Sequence, residues 1–205
     1  MKHCSLLKQQ HHKKIIAMIT ALDKNTALVL IDLQNSVVST QTKPYSVEYI
    51  LSNTNKLIEA FRKKQMPIVL VNVKPAGAWM NARKEVKFPP FPDDEKAYKI
   101  SDKVNADKND ICITKHTWNA FFETELNNEL KKKSVTHIVL GGISTSIGVE
   151  GTARAASELG YNITLATDAM TDRVESAHHH SIEIIFPRLG ERGTTKEIIE
   201  MLNRV

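Results

Sequence analysis

Short apolar stretches alternate with amphipathic stretches along most of the chain. The apolar stretches are rich in valine and isoleucine and are apolar on both faces, which is typical of strands buried inside a parallel sheet. Five stand out: TALVLIDLQ (26–34), MPIVLVNVK (66–74), DICITKH (110–116), THIVLGGI (136–143) and NITLATDAM (162–170). The pattern therefore predicts five buried strands.

The stretches between these strands have the 3.6-residue periodicity of helices. Helices are predicted over 46–64, 120–132, 148–159 and 173–186, and from Thr195 onward. Ser46 is the expected cap of the first, Gly160 the glycine that closes the third, and Asp172 with Glu175 a capping box that opens the fourth. Regular alternation of strands and helices predicts an α/β fold with helices on both faces of a mostly parallel sheet.

One irregular segment, about 75–109, interrupts the alternation and has the length of a lid, a binding loop or an interface arm. No linker divides the chain, so we predict one domain over 24–205 behind a basic N-terminal extension, 1–23.

The net charge of +5 is concentrated at the N-terminus, where residues 1–24 carry five lysines against one aspartate, Asp23. The body is nearly neutral, which argues against a nucleic-acid partner.

The cysteine content and hydropathy indicate the setting. The chain has two cysteines, and Cys112 lies in an apolar run, so we expect it to be a small core residue in a reducing, cytoplasmic protein. No apolar stretch approaches the length that spans a bilayer, so no membrane association is expected. The His178–His180 run is expected on a helix exterior because adjacent helical residues point in different directions.

Polar residues follow several predicted strands. Asp32 and Gln34 end the first apolar run, Lys115 ends the third, and Ser144 to Gly148 follow the fourth. Ligands of open α/β sheets bind outside the carboxyl ends of the strands. A carboxylate inside LVLIDLQ is costly to bury without a partner, and Lys115 is the obvious one. We therefore predict an active site around Asp32 and Lys115.

These residues also carry a resemblance to the isochorismatase-like hydrolase family. ALVLIDLQNSVV resembles its opening Asp-x-Gln strand, ITKHTWNAFFETEL its Lys-x-x-x-Ser-Ala-Phe segment with Asn119 in place of serine, and GGISTSIGVEGTARAASELGY its most specific segment. The resemblance implies a three-layer αβα sandwich and a six-stranded sheet of order 3-2-1-4-5-6, with a short last strand near 191–195. It also implies a homodimer or larger homo-oligomer, and one cleft holding Asp32, Lys115 and residue 148.

The chain departs from that family at residue 148, where a nucleophilic cysteine usually stands. Gly148 makes an acyl-enzyme at this position chemically impossible. Some isochorismatases also carry glycine there and cleave a vinyl ether without a nucleophile. The resemblance thus implies a hydrolase of a small carboxylate-bearing molecule, with Asp32 as general acid and Lys115 orienting it or binding substrate. Gly148 is expected to leave room for the substrate. The expected substrate contacts are Gln34, Trp79, Trp118, Ser144, Thr145, Ser146, Ile147 and Gly148.

Several alternatives remain open at this stage. Lys115 lowers the pKa of a neighbouring carboxyl whereas burial raises it, and the sequence does not decide between them. The chain is alternatively a catalytically silent member that binds a metabolite or serves as a scaffold, or an amidase in which Asp32 activates water.

Nicotinamidases of the family bind a metal through Asp-x-His after the second strand. That place reads VNVKPAGAWMN here, so no metal and no cofactor is expected.

Overall fold

A six-stranded parallel sheet forms the centre of the protein. The computed structural model describes residues 19–86 and 91–205. The strands are β1 (Thr26–Ile31), β2 (Ile68–Val73), β3 (Ile111–Lys115), β4 (His137–Ile143), β5 (Asn162–Thr171) and β6 (Glu191–Gly193). Their order is β3-β2-β1-β4-β5-β6, and every neighbouring pair is parallel. The five predicted strands, the short sixth strand and the strand order are confirmed.

Helices cover both faces of this sheet. The α-helices are α1 (Asn35–Val38), α2 (Val47–Lys63), α3 (Leu126–Lys132), α4 (Glu150–Glu158), α5 (Glu175–His180) and α6 (Thr195–Leu202). A wide π-type turn, Thr145–Val149, leads into α4, and another, Ser181–Ile185, continues α5. None of the helices in the two described ranges is long and apolar enough to cross a membrane.

The central strand β1 is buried on both faces and separates two hydrophobic cores. Leu28 and Leu30 contribute to the core that contains the apolar residues of α2 and α6. Val29 and Ile31 contribute to the opposite core, which contains those of α3 and α4. Alternate side chains of a strand point to opposite faces, so a strand between two helical layers must be apolar throughout. The predicted three-layer αβα sandwich is confirmed.

Two predicted helices begin later than their periodicity indicates. Helix α3 starts at Leu126 instead of residue 120, because the side chain of Asn119 accepts from Phe121 N at 2.7 Å and Glu123 has a left-handed φ of 53°. Helix α5 starts at Glu175 instead of 173. The expected capping box of Asp172 and Glu175 is wrong, because the Asp172 carboxylate binds other groups that are described below.

The prediction for Cys112 is also wrong, because its side chain is exposed. Strand β3 is an edge strand, and its burial alternates: Ile113 and Lys115 face the interior while Cys112 and Thr114 face solvent. An edge strand with only one covered face has the alternating pattern of a half-buried strand. DICITKH is therefore buried on one face only, and the prediction that both of its faces are buried is wrong.

The part of the chain just before β1 also contributes to the core. Ile19 and Leu22 are buried against the face that contains α2 and α6. Thr20 N donates to Glu191 Oε2 at 2.8 Å, which attaches this segment to β6. Residues 1–18 lie outside the described part of the chain. The division at residue 24 stays a prediction, and the burial of Ile19 favours placing it earlier.

Candidate active site

Asp32 and Lys115 form a buried ion pair at the carboxyl edge of the sheet. Asp32 follows β1 directly and Lys115 is the last residue of β3, with β2 between the two strands. Lys115 Nζ lies 2.8 Å from Asp32 Oδ2 and donates a second hydrogen bond to Thr117 O at 3.0 Å. Lys115 is 1% exposed and Asp32 is 6% exposed. Strands distant in sequence thus bring together the two residues that the sequence singles out.

The carboxylate of Asp32 is held in an unusual local setting. Its backbone has a φ of 55°, a left-handed conformation that non-glycine residues adopt rarely and that is concentrated at functional sites. Its N–H donates to Val71 O at 2.8 Å, which fixes the residue against β2. Oδ1 is buried and has no hydrogen-bond partner among the described residues. Such an atom is costly unless it is protonated or a ligand reaches it.

Burial dominates the electrostatics of Asp32. Removal of the carboxylate from water raises its pKa to about 6, and the attraction of Lys115 opposes this without cancelling it. The competition left open by the sequence is thereby resolved in favour of burial. A carboxyl group of this pKa holds a proton in a useful fraction of molecules near neutral pH, as a general acid must.

Gly148 lies directly against this pair. A Cβ atom built on it would be 2.9 Å from Ile31 Cγ2, 3.1 Å from Asp32 Oδ2 and 3.5 Å from Lys115 Nζ. A contact of 2.9 Å requires some atom to shift. The space beside the glycine is therefore already occupied by the Ile31 methyl and the Asp32 carboxylate. Glycine permits this close approach and does not leave the open room that the sequence led us to expect.

The turn that carries Gly148 is fixed by two side chains from the segment after β5. The N–H and hydroxyl of Ser146 both donate to Asp172 Oδ2 at 2.8 Å. The hydroxyl of Thr145 lies 2.8 Å from His178 Nδ1. Asp172 Oδ1 in turn accepts from its own helix entry, Arg173 N and Val174 N. Residues 145–148 are thus clamped over the ion pair.

Comparison with known proteins places this arrangement in a family. Residues 26–197 match the profile of the family described as "Isochorismatase domain". The chain belongs to the isochorismatase family. It is 36% identical over 182 residues to "Uncharacterized isochorismatase family protein YecD" of Escherichia coli O157:H7, a match that covers 87% of this chain and 97% of YecD. The membership confirms the family inferred from the sequence and makes the protein a hydrolase by family.

Two further relatives support the same assignment. "Secreted isochorismatase effector Isc1" of Verticillium dahliae is 31% identical over 155 residues, covering 75% of this chain and 76% of the effector. The solved structure of an isochorismatase family protein from Burkholderia thailandensis superposes with a TM-score of 0.85 at 34% identity, covering 89% of this chain and 98% of that one. The isochorismatase fold is thereby confirmed.

The other predicted site residues differ in their burial and in their contacts. The Gln34 side chain is buried and bound to the backbone of Val73, to its N–H at 2.6 Å and to its carbonyl at 3.0 Å. Trp118 is 51% exposed and lies against the start of α4, where a Cβ on Gly151 would be 3.6 Å from Trp118 Cβ. Trp79 belongs to a short helix, Ala78–Asn81, and its side chain lies outside the described part. Gly148 is buried, whereas Ile147 is exposed.

Asp172 and His178 belong to the site, although the sequence analysis did not predict them as site residues. His178 is 3% exposed, so the expectation of a helix-exterior position is wrong for this histidine, while His179 and His180 are exposed. Burial lowers the pKa of His178, so it is mainly neutral at pH 7. Asp172 had a usable signal, since it follows β5 at the same sheet edge as Asp32. The His178 position had none, because a run of three histidines does not identify which one faces inward.

Proposed function

We propose that the protein hydrolyses a small carboxylate-bearing metabolite without a covalent intermediate, by acid catalysis of the vinyl-ether type. The observation that carries the proposal is the buried ion pair of Asp32 and Lys115, which lies where the side chain of residue 148 would otherwise stand. Burial raises the pKa of the Asp32 carboxyl to about 6. Gly148 offers no nucleophile. The groups that remain beside it suit proton transfer.

The protonated Asp32 donates its proton to the terminal vinyl carbon of the substrate. The resulting oxocarbenium cation adds water, and the hemiketal so formed breaks down to a ketone and an alcohol, returning the proton. Lys115 occupies Oδ2, which leaves Oδ1 as the oxygen that carries the proton. Oδ1 has almost no accessible surface, so substrate binding must displace the atoms that cover it.

The substrate contacts in this proposal come from the turn and its surroundings. Ser146 already gives its N–H and its hydroxyl to Asp172, and Gln34 is bound to Val73. The exposed Ile147 and Trp118, with the half-buried Ser144, then form the side from which a substrate approaches.

The experiment offers the purified protein isochorismate and simpler vinyl ethers between pH 5 and 8. Asp32→Asn is expected to lower kcat/KM by about 100-fold or more, since general acids contribute on that scale. Asp102→Asn makes the same chemical change at an exposed position and is expected to leave turnover unchanged. Equal turnover by the wild type and Asp32→Asn would refute the proposal.

The pH profile separates acid catalysis from the alternative of an amidase with Asp32-activated water. An acid acts in its protonated form, so its rate falls as the pH rises through about 6. A base acts in its ionised form, so its rate rises over the same interval. Amide substrates are therefore included in the panel and followed across the same pH range.

The close packing around Gly148 favours a second candidate, a catalytically silent member that binds a metabolite or serves as a scaffold. Ile31 and Asp32 leave little space at the glycine, and the buried Oδ1 is shielded. Under this candidate, metabolites raise the melting temperature without being turned over. Any turnover that Lys115→Ala abolishes counts against it.

The proposal extends to a homo-oligomeric assembly, which the sequence resemblance implies. Trp118 and Phe122 each leave about half of a large apolar side chain exposed, at 51% and 52%. Exposed aromatic side chains are frequent at protein interfaces. Light scattering coupled to size exclusion measures the mass in solution, and a monomer at all concentrations would contradict the proposal.

A further inference from the structure

A polar cleft of about 720 Å³ lies on the carboxyl side of the sheet, apart from the Asp32–Lys115 pair. Its walls come from the segment 38–43, the first residues of α2, Lys103 and Arg173. This volume is in the range of small-molecule sites. The cleft includes neither Asp32 nor Lys115, so it is distinct from the proposed catalytic site.

Positive charge dominates the lining of this cleft. Lys43, Lys103 and Arg173 contribute three cations from three separate segments, and Glu48 is the one carboxylate among the lining residues. In the described part of the chain, the three cationic side chains make no hydrogen bond and no ion pair within 4.0 Å. Hydrogen bonds from the backbone and from Ser46 lower the pKa of Glu48, and the attraction of Lys103 lowers it further. The lining therefore carries a net charge of about two positive units that its own side chains do not neutralise.

Other polar groups of the lining are already used internally, which leaves the cations for a ligand. The hydroxyls of Ser39, Thr40 and Thr42 donate to nearby carbonyls, and Ser46 caps α2. These bonds fix the shape of the loop. The start of the 17-residue α2 also adds partial positive charge to this wall.

The cleft adjoins Asp172, whose carboxylate binds Ser146 and so holds the Gly148 turn. Lys43 and Asp172 exchange two backbone hydrogen bonds, of 2.7 and 3.0 Å. Arg173 follows Asp172, whose carboxylate binds Ser146. A ligand that contacts Lys43 and Arg173 would therefore contact two direct neighbours of Asp172, the residue that fixes the Gly148 turn.

We propose that this cleft is a binding site for a small polyanion, a molecule that carries two or more carboxylate or phosphate charges. Three cations from different segments suit a ligand with several negative groups better than a single-charge anion. The concave shape and the small volume suit a metabolite. The binding does not depend on the hydrolysis proposed above.

Calorimetric titration of the full chain with citrate, and separately with inorganic phosphate, tests the proposal at low ionic strength. Saturable one-site binding is expected for at least one probe, and the comparison of the two distinguishes a carboxylate site from a phosphate site. Chloride at matched ionic strength controls for screening. Absence of saturable heat with both probes would overturn the proposal.

Variants that change only charge locate the site. Arg173→Gln and Lys103→Gln are each expected to weaken binding about tenfold or more, the scale of one lost charge-assisted hydrogen bond. Lys63→Gln removes the same charge at the far end of α2, outside the cleft, and is expected to have no effect. Glu48→Gln removes the opposing carboxylate and is expected to tighten binding, a gain that damage to the fold cannot produce. Equal weakening by Lys63→Gln and Arg173→Gln, or weaker binding by Glu48→Gln, would contradict the assignment.

Discussion

At the scale of single residues, Asp32 couples the stability of the fold to pH. Its pKa is about 6 in the folded protein against an ordinary value of 3.8. The folded state therefore holds this proton more tightly than the unfolded chain does. Stability from this group is fully present below the unfolded value and is lost as the pH rises through about 6. The difference corresponds to on the order of 3 kcal/mol.

The first prediction follows from this linkage. The free energy of unfolding of the wild type, minus that of Asp32→Asn, is expected to decrease by on the order of 3 kcal/mol between pH 4 and pH 7. Asparagine does not titrate, so the subtraction removes the contributions of other groups, including the buried histidines. Urea denaturation at several pH values measures it, and Asp102→Asn serves as the control. A difference that stays constant with pH would contradict the raised pKa.

Gly148 and Gly151 give a matched pair of substitutions in one helical stretch. A Cβ on Gly148 meets Ile31 Cγ2 at 2.9 Å, whereas one on Gly151 meets nothing closer than 3.6 Å. Gly148→Ala is expected to destabilise the protein by about 1–3 kcal/mol, because the buried neighbours must move. Gly151→Ala is expected to be neutral or to stabilise by up to about 1 kcal/mol, because alanine favours helix. Thermal and urea unfolding measure both, and equal effects would show that residue 148 is not tightly packed.

At the scale of elements, the Gly148 turn depends on the segment after β5. Thr145 is fully buried and pairs with His178 Nδ1, and Ser146 pairs with Asp172. Both anchors come from residues 172–178, about 30 positions along the chain. The turn therefore keeps its shape only while β5 and α5 keep theirs.

The third prediction separates the hydrogen bond of His178 from its packing. Thr145→Val is expected to cost about 1–3 kcal/mol, since it leaves a buried ring nitrogen unpaired. In the His178→Asn background, Thr145→Val is expected to cost nearly as much as in the wild type, because the asparagine amide nitrogen lies close to the Nδ1 position and keeps the hydrogen bond. His178→Gln fills more volume but places its amide near the Nε2 position, so the cost of Thr145→Val in that background should approach zero. A larger cost of Thr145→Val in the His178→Gln background than in the His178→Asn background would mean that packing dominates.

Elements whose pattern reflects one simple cause are the ones predicted best. Strand β1 is apolar on both faces because two helical layers cover it, and α2 begins after a Ser46 cap that the structure retains. The start of α3 was misplaced because local side-chain bonds at Asn119 compete with helix formation. The exposure of Cys112 was missed because the residues alone do not say which strand lies at the edge.

At the scale of the whole molecule, the sequence predicts which two residues meet at the centre of the site but only part of their chemistry. Asp32 and Lys115 are 83 positions apart, yet both end parallel strands and so meet at one sheet edge. The pKa of Asp32 could not be predicted, because it depends on how completely distant segments bury the carboxylate. The tight contact of Ile31 with Gly148 likewise arises from the approach of β4 to β1. There Gly142, with a φ of 125°, lies too close to the Ile31 backbone for any side chain.

The extent of the folded unit gives the last prediction. Ile19 and Leu22 are buried in the core beside α2 and α6, although the sequence places the domain start at residue 24. A variant that lacks residues 1–23 is expected to be less stable than one that lacks residues 1–18 by roughly 3 kcal/mol or more, the scale of burying two aliphatic side chains. Urea denaturation of both variants measures the difference. Ile19→Ala in the longer variant is expected to account for a large share of it, and Ala21→Ser, at an exposed position, for almost none. Equal stability of the two deletions would place the domain boundary at residue 24.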